Sequence, residues 1–237
     1  FVDDKLIHHF QVDELSFSEK RFINAHIDYE EYTETNIRFN RCHKLPYNNL
    51  SNYIFMKNNG IFNFSDNILH SVMFEVRDIK GNLSVLKFKV QSEMPKNKIT
   101  HPTIKKERFK YNQVNIYTTN KFEIHMKKYS LYEDCDISYS SFPQNNTTLS
   151  EIHDIMNESI PVHKEFVISI KENIPLRIRN KVYIAKIKKN NTFKYKGKTW
   201  REGFLSAKTR EFGKYCIIAD TLPPNISNFK IDKIENM

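Results

Sequence analysis

The chain has 237 residues, a formal net charge of +9, 39% hydrophobic and 13% aromatic side chains, and five glycines. That length admits two small domains, and so few glycines argue against a phosphate-cradling loop. Abundant Phe (18) and Tyr (12) favour pleated sheets over helix bundles. No apolar run approaches the ~20 residues of a membrane helix, so no transmembrane segment is expected. Lysine is spread along the whole chain as background, so nucleic acid is not an expected partner.

The chain opens FVDDKLI, without Met. Val2-Asp3-Asp4-Lys5 has the composition of a tight hairpin turn between a strand ending at Val2 and one running over Leu6–Asp13. The body of the first strand is therefore expected upstream of Phe1. Ser16-Phe17-Ser18-Glu19 fits a capping box and predicts a short helix over Phe17–Asn24. A strand is predicted over Asn36–His43, followed by Pro46 and the turn-rich stretch YNNLSN.

The strongest periodicity follows. Val72, Phe74 and Val76 alternate with Met73, Glu75 and Arg77. After the Asp78–Asn82 turn, Leu86, Phe88 and Val90 alternate with Lys87, Lys89 and Gln91. Two period-2 runs around a Gly-Asn turn predict a hairpin with its apolar face on a core. Met94–Arg108 has two prolines, several lysines and no period, as a linker would.

Further strands are predicted over Phe109–Tyr117, Lys121–Lys128, Asp136–Ser141, Glu165–Lys171, Val182–Lys188, Thr192–Lys196, Gly203–Lys208 and Lys214–Ala219, with Phe166, Ile168 and Ile170 inward. A short helix is predicted over Leu149–Met156. Pro223-Pro224 marks a stiff joint, after which ISNFKI begins another strand. The expected architecture is all-β: tandem immunoglobulin-like β-sandwiches with one or two short helices. Residues 1–94 form the first sandwich, lacking its N-terminal strands; 95–108 link it to a second sandwich over 109–222; 223–237 begin a further module or tail.

Few residues suggest chemistry. His26-Ile27-Asp28 offers two ligand types, and His9…Asp13 fits HxxxD, but no third ligand stands at metal-binding spacing. There is no GxSxG elbow. Carboxylate pairs such as Asp13-Glu14 and Glu30-Glu31 are ordinary on a surface. No catalytic, cofactor-binding or metal-ligating residue is assigned. Cys42, Cys135 and Cys216 lie far apart without a CxxC; a Cys42–Cys216 or a Cys135–Cys216 bridge is compatible with an oxidising compartment, and one thiol remains in either case.

Lys181–Arg201 is the candidate binding surface. It interleaves Tyr183, Phe193, Tyr195 and Trp200 with eight basic residues, among them Lys196, Lys198 and Arg201. Aromatic and cationic groups together stack on sugars or bases and hold anions. The competing reading is an edge hairpin kept soluble by its lysines.

Three segments carry a family resemblance: FQVDELSFSEKRFINAHIDYEEY (Phe10–Tyr32), GIFNFSDNILHSVMFEVRDIKGNLSVLKFKV (Gly60–Val90) and WREGFLSAKTREFGKYCIIADTLPPNI (Trp200–Ile226). Together they resemble the β-sandwich region that follows the catalytic domain in a bacterial branch of lysostaphin- or LytM-type zinc endopeptidases of peptidoglycan. Those peptidases bind zinc through HxxxD and a later HxH, and this chain has no HxH. The resemblance therefore implies a non-catalytic accessory segment that spaces or docks a peptidase-like domain lying upstream. It implies zinc in that upstream domain and none here. It also implies a location in the bacterial cell envelope, periplasmic or outer-membrane associated, with peptidoglycan or an envelope protein complex as partner. Within it, His26 and Asp28 are expected to fix the chain's path at a corner, Asp28 by accepting backbone amides.

Overall fold

A computed structural model describes residues 1–93 and 107–223. Nearly all of the expected linker, and the module expected from 223 apart from Pro223, lie outside the described residues. The fold is all-β, with antiparallel sheets and two short helices.

Phe1–Lys5 forms the expected turn. Asp3 and Asp4 both take positive φ (47° and 59°), as a type I′ turn requires, and Val2 and Lys5 exchange N–H···O bonds of 2.9 Å. Strand β1 (His8–Phe10) pairs with β2 (Tyr53–Met56). Between them the capping box forms by half. Ser16 Oγ accepts from the Glu19 N–H at 3.3 Å, but the Glu19 carboxylate turns to the Ser51 N–H (3.2 Å) and hydroxyl (2.9 Å). The predicted helix over Phe17–Asn24 is thus displaced: a 3-10 turn at Lys20–Phe22 leads into α1 (Ile23–His26). A second helix, α2 (Tyr29–Thr35), was not foreseen. Asp28 caps it by accepting from the Glu31 N–H at 3.2 Å, and left-handed Asn36 ends it. The strand expected over Asn36–His43 shrinks to a bridge between Asn40 and Ile27. Asn36 is spent on closing the helix, and Ile37 and Phe39 remain exposed, with no strand of the described residues paired beside them.

The predicted hairpin is present. Strand β3 (Leu69–Arg77) pairs with β4 (Leu83–Gln91) over nine positions, and Asp78 locks the turn through the backbone N–H groups of Lys80 and Asn82. The register places His70, Val72, Phe74 and Val76 on the same face as Leu86, Phe88 and Val90. The expectation of an inward face holds only at one end, where Val72 packs with Val2, Ile7, Phe64 and Val90. Phe74, Val76, Leu86 and Phe88 are 41%, 67%, 60% and 42% exposed. A two-stranded ribbon supplies one layer, and Phe1–Ile7 covers only its proximal half.

Residues 107–223 form a two-sheet sandwich. Short β5 (Arg108–Phe109) and β8 (Cys135–Asp136) pair at its margin. The remaining strands are β6 (Asn115–Thr118), β7 (Phe122–Met126), β9 (Tyr139–Phe142), β10 (Ile152–Ile155), β11 (Phe166–Lys171), β12 (Val182–Ile187), β13 (Phe193–Gly197), β14 (Thr199–Arg201), β15 (Phe204–Thr209) and β16 (Gly213–Ala219). One sheet runs β13-β12-β16-β10-β9, the other β14-β15-β11-β7-β6. Alternate residues meet between them: Phe122, Ile124, Ile155, Phe166, Ile168, Ile170, Val182, Ile184, Leu205 and Ile217 are wholly or almost wholly buried. Each such side chain contributes about 1.5–3 kcal/mol.

The helix expected over Leu149–Met156 is instead strand β10, paired on both sides with β9 and β16. His153 and Ile155 are buried, and two neighbouring strands satisfy the backbone that a lone helix turn would leave open. The two parts of the chain meet in an aromatic cluster. Phe22, Leu45 and Leu50 pack on Tyr132, whose hydroxyl donates to the Arg21 carbonyl at 2.6 Å. Phe22 stacks on His163 and Tyr47 on Tyr129, each at 4.5 Å between ring centroids.

Candidate functional site

The structure disperses the seven residues singled out in Lys181–Arg201. Strand β13 closes one sheet and β14 closes the other, so the chain changes sheets at Gly197-Lys198. Gly197 lets the chain pass close to β15 there, since a Cβ would stand 3.1–3.2 Å from Ala207. Tyr183 and Tyr195 lie 5.1 Å apart and, with Lys198, line a shallow recess of about 390 Å³ beside Asn180, Lys181 and Asp220. Trp200 turns inward against the sandwich core. Its indole lies 4.1 Å from the Arg179 guanidinium and donates to the Arg179 carbonyl at 3.4 Å. Phe193 stands partly exposed on β13. Arg201 points away from the recess, into a larger groove on the opposite sheet.

Lys196 belongs to an internal charge cluster. The Glu211 carboxylate meets Lys194 at 2.9 Å, Lys186 at 3.1 Å and Lys196 at 3.2 Å, and Glu158 reaches Lys186 at 3.5 Å. The Lys186 and Lys196 side chains are both more than nine-tenths buried. Burial pushes the Glu211 carboxyl up, but the three lysines outweigh it and hold it at about 2. Burial depresses Lys196, partly offset by Glu211.

The larger groove, of about 720 Å³, lies on the outer face of the β14-β15-β11-β7-β6 sheet. Register builds it. Thr118 faces Glu123, Glu123 faces Ser169, Ser169 faces Ser206, and Ser206 faces Thr199. One polar row thus crosses all five strands, a span of roughly 19 Å at the usual inter-strand spacing. Ser169 and Ser206 form its floor, 8% and 6% exposed, with their hydroxyls 2.8 Å apart. One flanking row holds Ile116, His125, Val167 and Lys208. The other holds Lys171, Phe204 and Arg201. Of the residues singled out from the sequence, Arg201 and Lys196 line this groove; its other residues were missed. The available signal was Ser169, a lone hydroxyl inside the apolar run FVISI.

His26 and Asp28 are structural. His26 is buried, stacks on Phe10 at 3.9 Å between ring centroids and bonds the Tyr53 hydroxyl at 3.0 Å; Asp28 is the helix cap. His9 and Asp13 are exposed, and Asp13 accepts from the Gln11 amide at 2.7 Å. Among the described residues, no group of three or more His, Cys, Asp or Glu is placed to hold a metal. The three cysteines are unbridged, Cys42 exposed, Cys135 partly covered and Cys216 buried. No helix of the described residues is long and apolar enough to cross a membrane.

Residues 106–220 match the family model of the Zu5-like domain. That stretch coincides with the ten-stranded sandwich and its β5–β8 margin. No curated protein matches the chain.

Proposed function

We propose that this chain is a non-catalytic β scaffold of a LytM-type peptidase-like protein of the bacterial cell envelope, and that it docks a neighbouring protein surface through the β3–β4 hairpin. The observation that carries the reading is the uncovered apolar face of Phe74, Val76, Leu86 and Phe88. It is continuous with a cavity of about 330 Å³ that Phe1, Phe62, Phe64 and Val90 also line. Aromatic side chains standing together in water at the end of a ribbon are the mark of a surface meant for a partner. The three segments resembling the accessory region of LytM-type peptidases supply the context, and the aromatic cluster around Tyr132 supports a spacer whose two parts move together.

In this reading the zinc belongs to the upstream domain, and the natural candidates for the docked surface are that domain or an envelope complex. Replacing Val76→Lys and Leu86→Lys tests it. Both side chains are largely exposed, so the isolated chain should keep its melting temperature within about 2 °C. In the whole protein, the same change should release the scaffold from its docked surface, read as new protease cleavage in the hairpin. An unchanged cleavage pattern would refute docking through this face.

A further inference from the structure

We propose that the groove on the outer face of the β14-β15-β11-β7-β6 sheet binds an extended, carboxylate-bearing oligosaccharide lying along the row Thr118–Glu123–Ser169–Ser206–Thr199. This goes beyond the scaffold reading and uses a different part of the molecule. The volume of about 720 Å³ falls in the range of ligand sites. The row offers hydroxyls on four of its five strands, and each hydroxyl donates and accepts by rotation. That suits a chain of rings carrying hydroxyls and amides at their rims. Ile116, Val167 and Phe204 on the two flanks give apolar contact for ring C–H faces.

The charges favour a carboxylated chain over a neutral one. Arg201 and Lys208 stand on opposite sides of the row, both exposed, and among the described residues neither has a carboxylate partner. Two carboxylates also line the groove, Glu123 within the row and Glu202 in the turn beside Arg201, both outside any ion pair of the described residues. They accept hydroxyl or amide protons and disfavour a plain polyanion, while Arg201 and Lys208 remain for the ligand's spaced carboxylates. An extended peptide is a poorer fit, since peptides gain affinity by main-chain pairing at a sheet edge and this face presents side chains only. Single-stranded nucleic acid would need a series of stacking platforms, and among the described residues the groove's lining offers two rings, Phe204 and His125, in rows on opposite sides of the polar row.

Titration of the 237-residue chain with a hyaluronan octasaccharide, with chitohexaose and with a poly-glutamate peptide tests the assignment. Hyaluronan should bind, more weakly at high salt. Arg201→Gln with Lys208→Gln should weaken it about tenfold. Lys198→Gln, in the separate tyrosine recess, should leave binding unchanged. Chitohexaose should bind more weakly than hyaluronan, and poly-glutamate not at all. The proposal fails if hyaluronan does not bind, if poly-glutamate binds equally well, or if the double variant binds like the wild type with its melting temperature retained.

Discussion

Glu211→Gln removes one negative charge from a cluster that holds three lysines, two of them buried. The wild-type carboxyl is held at about 2 against an ordinary 4.5. Fully realised, that difference is worth about 3 kcal/mol at neutral pH. The Glu211 side chain is 36% exposed, so solvent screening reduces the expected loss to about 1–2 kcal/mol. Glutamine keeps the shape and an acceptor, so what is lost is the charge. Because the folded-state value is depressed, the stabilisation is complete above pH 4.5 and disappears as pH falls from 4.5 to about 2. Urea denaturation of the wild type and the variant should therefore differ by about 1–2 kcal/mol at pH 7, and the difference should shrink below pH 4.5 and close only at about pH 2 and below. Equal stability at pH 7, or a difference that persists undiminished in acid, would refute the assignment of Glu211 as the hub of the cluster.

Other consequences follow from single contacts. Asp28→Ala should cost about 1 kcal/mol through loss of the α2 cap, measured by urea denaturation, with metal content the same as in the wild type. Tyr132→Phe removes the bond to the Arg21 carbonyl while keeping the ring. It should cost about 1 kcal/mol and increase hydrogen exchange in α1 more than in the sandwich core. Burial depresses His26, His153 and His163 to about 4. Each is neutral in the folded chain, so its contribution is complete above about pH 6.5 and is lost as pH falls from 6.5 to 4. For fully buried His153 that amounts to about 2–3 kcal/mol, and thermal melts should decline over that window, less steeply in His153→Gln.

The hairpin was legible because a period of two and an Asp-x-x-Gly-Asn turn leave one register open. The core positions Phe166, Ile168 and Ile170 were legible for the same reason. Helix α2 was missed although its signal was present: Asp28 was expected to accept backbone amides at a corner, but Glu31 three residues later, which makes it a helix-cap signature, was weighed only as one of a surface carboxylate pair. Strand β10 was misread because Leu149–Met156 is short, and its two neighbours, β9 and β16, decide its state from elsewhere in the chain. The groove was illegible for a related reason. Its row joins residues 118, 123, 169, 206 and 199, and only the pairing of five strands places them side by side. The candidate stretch at 181–201 read as one surface because its residues are consecutive, whereas the crossing at Gly197 sends them to two sheets.

The central claim is that the distal apolar face of the β3–β4 hairpin is covered by another protein surface in the working molecule. Amide hydrogen exchange across Phe74–Phe88 measures this directly, with the 237-residue chain compared alone and together with the proposed upstream domain. The account predicts that these amides exchange quickly in the isolated chain and become protected by at least tenfold together with that domain. Equal, rapid exchange in both would contradict it.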